Sequence, residues 1–137
     1  MSILPSGLAE IVADEEDLVH YLLSYGQFSA TKVKPNALLP NPKDNERSVF
    51  RHGSEPRDQL WKIGLEHVVG ERKLYGAAVF KAKHVRAVML DVVAAEPPPR
   101  HAAVVGWPRS DDPELQKAQQ KERAALIAQH AQLILRQ

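Results

Sequence analysis

The run from Glu96 to Pro108 (EPPPRHAAVVGWP) constrains the fold of this chain more than any other segment. Proline fixes the backbone angle φ and has no N–H to donate, so three consecutive prolines exclude a helix interior and a central strand. The segment therefore predicts a stiff loop that carries Arg100-His101 and closes at a Gly106-Trp107-Pro108 turn. Rigid loops with cationic and aromatic side chains commonly carry binding or catalytic groups.

Composition limits the classes of function. A chain of 137 residues is typical of one domain with one modest core. The 18 basic and 17 acidic residues nearly cancel, which argues against general binding to polyelectrolytes but leaves room for a local basic patch. Cysteine is absent, which excludes disulfides, thiolate metal sites and cysteine nucleophiles.

The N-terminal run from Met1 to Pro5 has neither the basic region nor the apolar region of a secretory signal. No apolar run in the sequence approaches the length that spans a bilayer. We expect a cytoplasmic protein that does not associate with membranes.

Three segments have apolar residues at helical spacing. The segment 14–24 (DEEDLVHYLLS) combines an acidic first turn with a stop at Gly26, and Glu55 to Val69 has Pro56 near its start. The third segment, 112–136, is predicted as a long C-terminal helix because Asp112 can cap it and Pro113 suits its first position. Its apolar stripe comprises Ala124, Ile127, Ala128, Ala131, Ile134 and Leu135.

Strand patterns lie between these helices. Ser48 to Arg51 predicts a short buried strand, and alternation between Tyr75 and Val93 predicts a β-hairpin with its turn at Lys83-His84-Val85. Ala102 to Val105 predicts a short edge strand, whereas residues 27–47 are rich in Pro and Asn and predict an irregular excursion. Because helices and strands are segregated, we expect one α+β domain over residues 1–137, with an antiparallel sheet and two or three helices.

Arg51, Arg100, His101 and Trp107 are the candidate binding residues. Arginine can clamp a phosphate or carboxylate, and histidine can transfer a proton near neutral pH. The structural alternative is that His101 donates to a backbone carbonyl while Arg100 pairs with a carboxylate such as Glu96. Tryptophan is enriched both in cores and at interface hot spots, so Trp107 suits either role.

Other sequence patterns exclude several chemistries. The six histidines show no spacing typical of a metal site, and the chain lacks the motifs of serine nucleophiles and of phosphate-binding loops. We therefore expect neither a metal nor a cofactor. The basic residues around the predicted hairpin, with Tyr75 and Trp107 nearby, suggest a surface that binds successive phosphates and stacks bases on aromatic rings. The alternative is that lysines on an exposed strand prevent edge-to-edge aggregation. These basic residues are Arg72, Lys73, Lys81, Lys83, His84 and Arg86.

Arg51-His52-Gly53 after an apolar pair resembles the signature of the histidine phosphatase superfamily. The resemblance implies that His52 would be phosphorylated and that Arg51 would hold phosphoryl oxygens, with Arg100 and His101 in the place of the second Arg-His pair. The run PPPRHAAVVGWP, with Ser48 to Arg51 upstream, also resembles small bacterial proteins that share an Arg-His-Ala…Gly-Trp-Pro ending and have no assigned activity. That resemblance implies a bacterial origin and one compact domain.

Two functions follow as hypotheses. The first is a small non-enzymatic binding module that acts with a protein or a nucleic-acid partner, since the chain holds no complete catalytic motif. The second is a phosphate-handling enzyme of the phosphoesterase type, with His52 or His101 as nucleophile or general acid/base and both Arg-His pairs in one pocket. A structural subunit, whose terminal helix completes a partner's core, is a third alternative.

Overall fold

The computed structural model describes residues 2–52 and 55–136. Six strands form one antiparallel sheet in the order β4-β5-β2-β1-β3-β6. The strands are β1 (Asp17–Leu22), β2 (Arg47–Arg51), β3 (Gly76–Lys81), β4 (Asp91–Ala94), β5 (His101–Val105) and β6 (Gln132–Leu135). The helices are α1 (Arg57–His67), α2 (Ala82–Arg86) and α3 (Pro113–His130). The predicted α+β class, with its antiparallel sheet and long C-terminal helix, is confirmed. No helix among the described residues is long and apolar enough to cross a membrane.

The two faces of the sheet are covered differently. On one face, α2, α3 and a short 3-10 helix at Pro35–Leu38 enclose the larger core. On the other face, α1 packs over β1 and β3, where Leu60 and Ile63 meet Val19 and Tyr21. The part of this second face that β4 and β5 form holds no residue of that cluster, and Val93 there is 43 % exposed. α1 therefore covers only half of this face, and we call the other half, on which Ala103 is nevertheless buried, the open half-face.

The helix predicted over residues 14–24 is wrong, because Asp17–Leu22 forms β1 in the middle of the sheet. Leu18 and Leu22 are buried on one side of this strand, and Val19 and Tyr21 are buried on the other. A strand that is covered on both faces places apolar residues at nearly every position. In this sequence that pattern coincides with helical spacing.

The hairpin predicted between Tyr75 and Val93 is also wrong. β3 pairs with β1 and β6, β4 pairs with β5, and Ala82–Arg86 forms α2 where a turn was expected. The strand predicted at Ala102 to Val105 exists as β5, but it lies between β4 and β2 rather than at an edge. The loop of residues 95–100, which contains the three consecutive prolines, joins β4 to β5, so these two strands form the hairpin. The strand at Ser48 to Arg51 and the helix within Glu55 to Val69 are present as β2 and α1.

The C-terminal helix ends earlier than the sequence predicts. Its start is as expected, since the Asp112 carboxylate accepts from the N–H groups of Glu114 and Leu115. It ends at His130, and Gln132–Leu135 then forms β6 against β3. Ile134 and Leu135 therefore belong to a strand rather than to the helical stripe.

Residues 27–47 are largely irregular, and the turn predicted at Gly53-Ser54 lies outside the described residues.

Candidate functional site

Arg51 is held inside the fold. Its side chain is the one buried charged group among the described residues, at 1 % exposure. Nε and Nη2 donate to the two carboxylate oxygens of Glu16 at 2.8 and 2.9 Å, and Nη1 donates to the carbonyl of Ala9 at 2.7 Å. Burial alone would raise the pKa of Glu16, but the hydrogen bonds from Arg51 and from the Ala13 N–H lower it below its usual value. Arg51 thus fastens the N-terminal segment to the sheet and cannot reach a partner.

Arg100 and Trp107 also make contacts within the protein. Arg100 donates from Nε to the carbonyl of Arg51 at 2.7 Å and from Nη2 to the carbonyl of His52 at 2.8 Å. Its Nη1 lies 3.6 Å from the Glu55 carboxylate. Trp107 is 3 % exposed, and its indole N–H donates to the carbonyl of Val104. Both side chains are therefore engaged within the protein. Arg100 binds backbone carbonyls and reaches Glu55, whereas the structural alternative names Glu96, which accepts from Arg100 only through the backbone N–H.

The two Arg-His pairs are neighbours in the backbone but do not share a pocket. The N–H of Arg51 donates to the carbonyl of Arg100 at 2.8 Å. Phe50 lies opposite His101 in the β2–β5 register, so both side chains are on the same face. The Arg51 side chain must then point to the other face, away from His101. His52 is half-buried, and burial lowers its pKa, which Asp17 opposes.

The basic residues that the sequence places around the hairpin are largely neutralised by ion pairs. Lys81 lies 3.3 Å from Asp17, and Lys83 lies 3.2 Å from the Glu15 carboxylate. Arg86 bridges two more carboxylates, those of Asp14 and Asp91, at 2.6 and 2.9 Å. The acidic run at residues 14–17 thus faces this basic set at one end of β1. That end presents little net positive charge.

A cleft opens at the other end of β1, where β1 and β2 separate. Their pairing includes Leu18 with Arg51 and Val19 with Phe50 and extends no further. The ring of His20 then reaches across the gap, with Nδ1 3.1 Å from the carbonyl oxygen of Ser48. The resulting cavity has a volume of about 370 Å³. Its polar lining consists of His20, Ser24, Gln27, Arg47, Ser48 and Arg72, and we call it the basic cleft.

Arg47 is the distinctive group in the basic cleft. Its Nε is the one buried side-chain polar atom in the described part of the chain that has no hydrogen-bond partner. Within those residues no carboxylate lies within ion-pairing distance, and Nη1 makes one long contact, 3.5 Å, with the carbonyl of Ala37. Burial lowers the pKa of Arg47, although Asp44 opposes this. A half-buried guanidinium with an unused donor is suited to an anion from outside.

The other polar groups of the cleft complement Arg47. Arg72 donates to the carbonyls of Val68 and Val69 at the end of α1, which anchors its guanidinium at the rim. Burial lowers the pKa of His20 to about 4, and the charge of Arg47 acts in the same direction. His20 is therefore neutral near pH 7, and its Nδ1–H donates to Ser48.

Three aromatic rings lie beside the basic cleft. The ring of Tyr25 is 4.2 Å from that of Tyr75 and 6.0 Å from that of Phe28, measured between centroids. We call these three residues the aromatic cluster. Tyr25 is 67 % exposed, and the Lys73 ammonium lies 5.4 Å from the centroid of Tyr75. Ser24 and Gln27 of the cleft flank Tyr25 in sequence, so the cluster adjoins the cleft directly.

The sequence indicates Arg72, Lys73 and Tyr75 as candidate binding residues, but it does not indicate Arg47, His20 and Tyr25. Arg47 falls at the end of the segment predicted to be irregular, and His20 falls in the segment predicted to be helical. No local pattern marks them, because the cleft forms where two strands separate.

Among the described residues, no three histidine, aspartate or glutamate side chains come together to hold a metal ion. No family model, curated protein or solved structure matches this chain.

Proposed function

We propose that this protein is a binding module for single-stranded nucleic acid, with a phosphate in the basic cleft and a base on the aromatic cluster, and that no chemistry takes place at this site. The observation that carries the proposal is Arg47, whose buried Nε lacks a partner in a cavity that also holds Arg72. A phosphate oxygen in the cleft would accept from the Nη groups of Arg47, and a turn of the side chain would let a second oxygen accept from Nε, which is closed to solvent here. Such charge-assisted pairs are among the stronger hydrogen bonds in proteins.

The neighbouring aromatic rings favour nucleic acid over an acidic protein. Successive phosphates and bases require cations and flat apolar surfaces side by side. The segments 24–28 and 72–75 each supply a cleft residue and an aromatic ring: Ser24 with Tyr25, and Arg72 with Tyr75. Lys73 adds a cation beside the cluster. An unstacked base is accessible in a single strand but not inside a duplex, so the proposed ligand is single-stranded.

The proposal keeps the cytoplasmic and bacterial setting that the sequence suggests. It assigns recognition to the basic cleft and the aromatic cluster in place of the sequence candidates Arg51, Arg100, His101 and Trp107. A protein partner remains the alternative, because an acidic side chain could also pair with Arg47. The phosphoesterase hypothesis has less support, since Arg51 and Arg100 direct their guanidinium groups to Glu16 and to backbone carbonyls.

The test is fluorescence anisotropy with a labelled single-stranded 12-mer at several salt concentrations. Binding through Arg47, Arg72 and Lys73 neutralises about three phosphates, so we expect a slope near −2 in log K against log salt. The double variant R47Q/R72Q should weaken binding at least tenfold and bring the slope towards −1. Y25A should weaken binding about fivefold or more, because stacking contributes roughly 1–3 kcal/mol per base.

The matched control is K81Q/K83Q, which removes the same charge from the neutralised end of β1. If the control weakens binding as much as R47Q/R72Q does, general electrostatics explains the affinity and the cleft is not the site. If an acidic peptide binds and the oligonucleotide does not, the partner is a protein. An oligomer of abasic nucleotides should bind wild type and Y25A equally.

A further inference from the structure

A second group of residues, on the open half-face of the sheet, has the arrangement of an activated nucleophile. The exposed Ser48 hydroxyl is hydrogen-bonded to Nε2 of His101, and Nδ1 of His101 lies 2.8 Å from the carbonyl oxygen of Ala95. A carbonyl oxygen can only accept, so Nδ1 carries the proton of the neutral ring. Nε2 is then the acceptor, and the Ser48 O–H is the donor.

This is the order of groups that nucleophilic catalysis requires: a hydroxyl, a base within hydrogen-bond reach, and a third group that orients the base. The ring of His101 is also fixed by its edge contact with Phe50, at 5.3 Å between centroids. We propose that Ser48 is a nucleophile towards small carboxylic esters and that His101 is its general base. This activity does not depend on the nucleic-acid proposal, since it uses the side chains of Ser48 and His101 in a second cavity, which shares Arg47 and Ser48 with the basic cleft.

The cavity at this pair indicates the class of substrate. Its volume is about 170 Å³, which suits an acyl group of a few carbon atoms. Asp44 and Glu46 line it and would repel a phosphate, so the electrophile is an uncharged acyl carbon. Asn41 lines the same cavity and can donate to the oxyanion. The side-chain oxygen of Asn41 accepts from the Lys43 N–H, which leaves its NH₂ group as a donor.

The proposed step balances without a cofactor. The Ser48 oxygen attacks the ester carbon while His101 Nε2 takes the hydroxyl proton. The tetrahedral intermediate collapses, the bond to the alcohol oxygen breaks, and the alcohol leaves with the proton from His101. Water then attacks the acyl-serine, with His101 again as base, and releases the carboxylic acid and the free hydroxyl.

The test is covalent labelling with a fluorophosphonate, which loses fluoride as the serine oxygen attacks phosphorus. Intact mass and peptide mapping of wild type should show one adduct on Ser48. We expect no adduct on Ser48→Ala, a rate at least 100-fold lower for His101→Gln, and an unchanged rate for Ser29→Ala, an exposed serine that bonds within its own turn. Labelling at another residue, no labelling, or equal rates for wild type and His101→Gln would each overturn the proposal.

A second pair of variants guards against loss of the fold, because His101 also ties β5 to Ala95. The thiol of Ser48→Cys should react with iodoacetamide at least tenfold faster when His101 is present than in the Ser48→Cys/His101→Gln variant. Thermal melting identifies any variant that is unfolded at the assay temperature. Equal alkylation rates in two folded proteins would show that His101 does not act as a base.

Discussion

Replacing Arg51 by methionine tests whether this side chain supports the fold rather than recognition. The change removes two hydrogen bonds to Glu16 and one to Ala9, and it leaves the Glu16 carboxylate without its counter-ion. Breaking a fully buried pair costs about 3–5 kcal/mol. The Glu16 side chain keeps 20 % exposure, so water can solvate part of its charge. We expect a loss of about 3 kcal/mol in the free energy of unfolding.

The assay is urea unfolding followed by circular dichroism, together with thermal melting. For a domain of this size, 3 kcal/mol corresponds to a fall in Tm of about 10 °C. Arg109→Met is the matched control, since Arg109 is exposed and makes no ion pair among the described residues, and its effect should stay within about 0.5 kcal/mol. The double variant E16L/R51M should recover much of the loss, because it removes both charges.

The reasoning would be refuted if Arg51→Met melted within 2 °C of wild type while nucleic-acid or protein binding fell sharply. That result would return Arg51 to the set of recognition residues that the sequence suggests. A double variant as unstable as the single one would show that the backbone contact with Ala9, rather than the ion pair, dominates.

Three further predictions follow from the same contacts. The pKa of His20 is lowered to about 4 in the folded state, so its contribution to the free energy of unfolding should be fully present above about pH 6.5 and be lost towards pH 4. The loss should be at most about 1.4 kcal/mol per pH unit. Urea titrations of wild type and His20→Gln at several pH values isolate this effect as the difference between the two profiles. The lowered pKa of Glu16 adds a loss below about pH 4.5 that should be missing from Glu16→Gln in the same titrations. Gly64→Ala should lower Tm although alanine favours helices, because a Cβ there would lie 2.7 Å from the ring of Tyr21, and overpacking costs about 1–3 kcal/mol; a higher Tm would contradict this.

The fold class could be predicted from the sequence because several local signals are independent of the tertiary structure. Asp112 and Pro113 begin α3 through contacts within one turn. The end of α3 depends on the rest of the molecule, since Leu133 and Ile134 gain pairing with Ala78 and Ala77 of β3 by leaving the helix. Long-range pairing also decides β1. The local spacing of its apolar residues fits a helix, and it forms a strand because the sheet pairs it on both sides and buries both of its faces.

The candidate sites depend on pairs of residues that are far apart in the chain. Ser48 and His101 meet because β2 and β5 are adjacent, and no sequence pattern reports that adjacency. The sequence nevertheless marks His101 as a candidate, and the structural alternative for it agrees with the observed contact. Its Nδ1 bonds a backbone carbonyl, as the structural alternative states, and the same bond leaves Nε2 as an acceptor for Ser48.

Charge distribution explains how a chain with a net charge of +1 can still offer a site for an anion. Antiparallel pairing of β1 with β3 brings the acidic residues around the start of β1 next to Lys81 and Lys83 around the end of β3, where opposite charges neutralise one another. The same pairing brings Arg72 and Lys73, which precede β3, to the opposite end of β1, where β2 begins with Arg47. Cations at that end face few carboxylates, so a local positive potential survives overall neutrality. Net charge therefore argues against general binding along a polyelectrolyte but not against capture of one or two phosphates at a defined cleft.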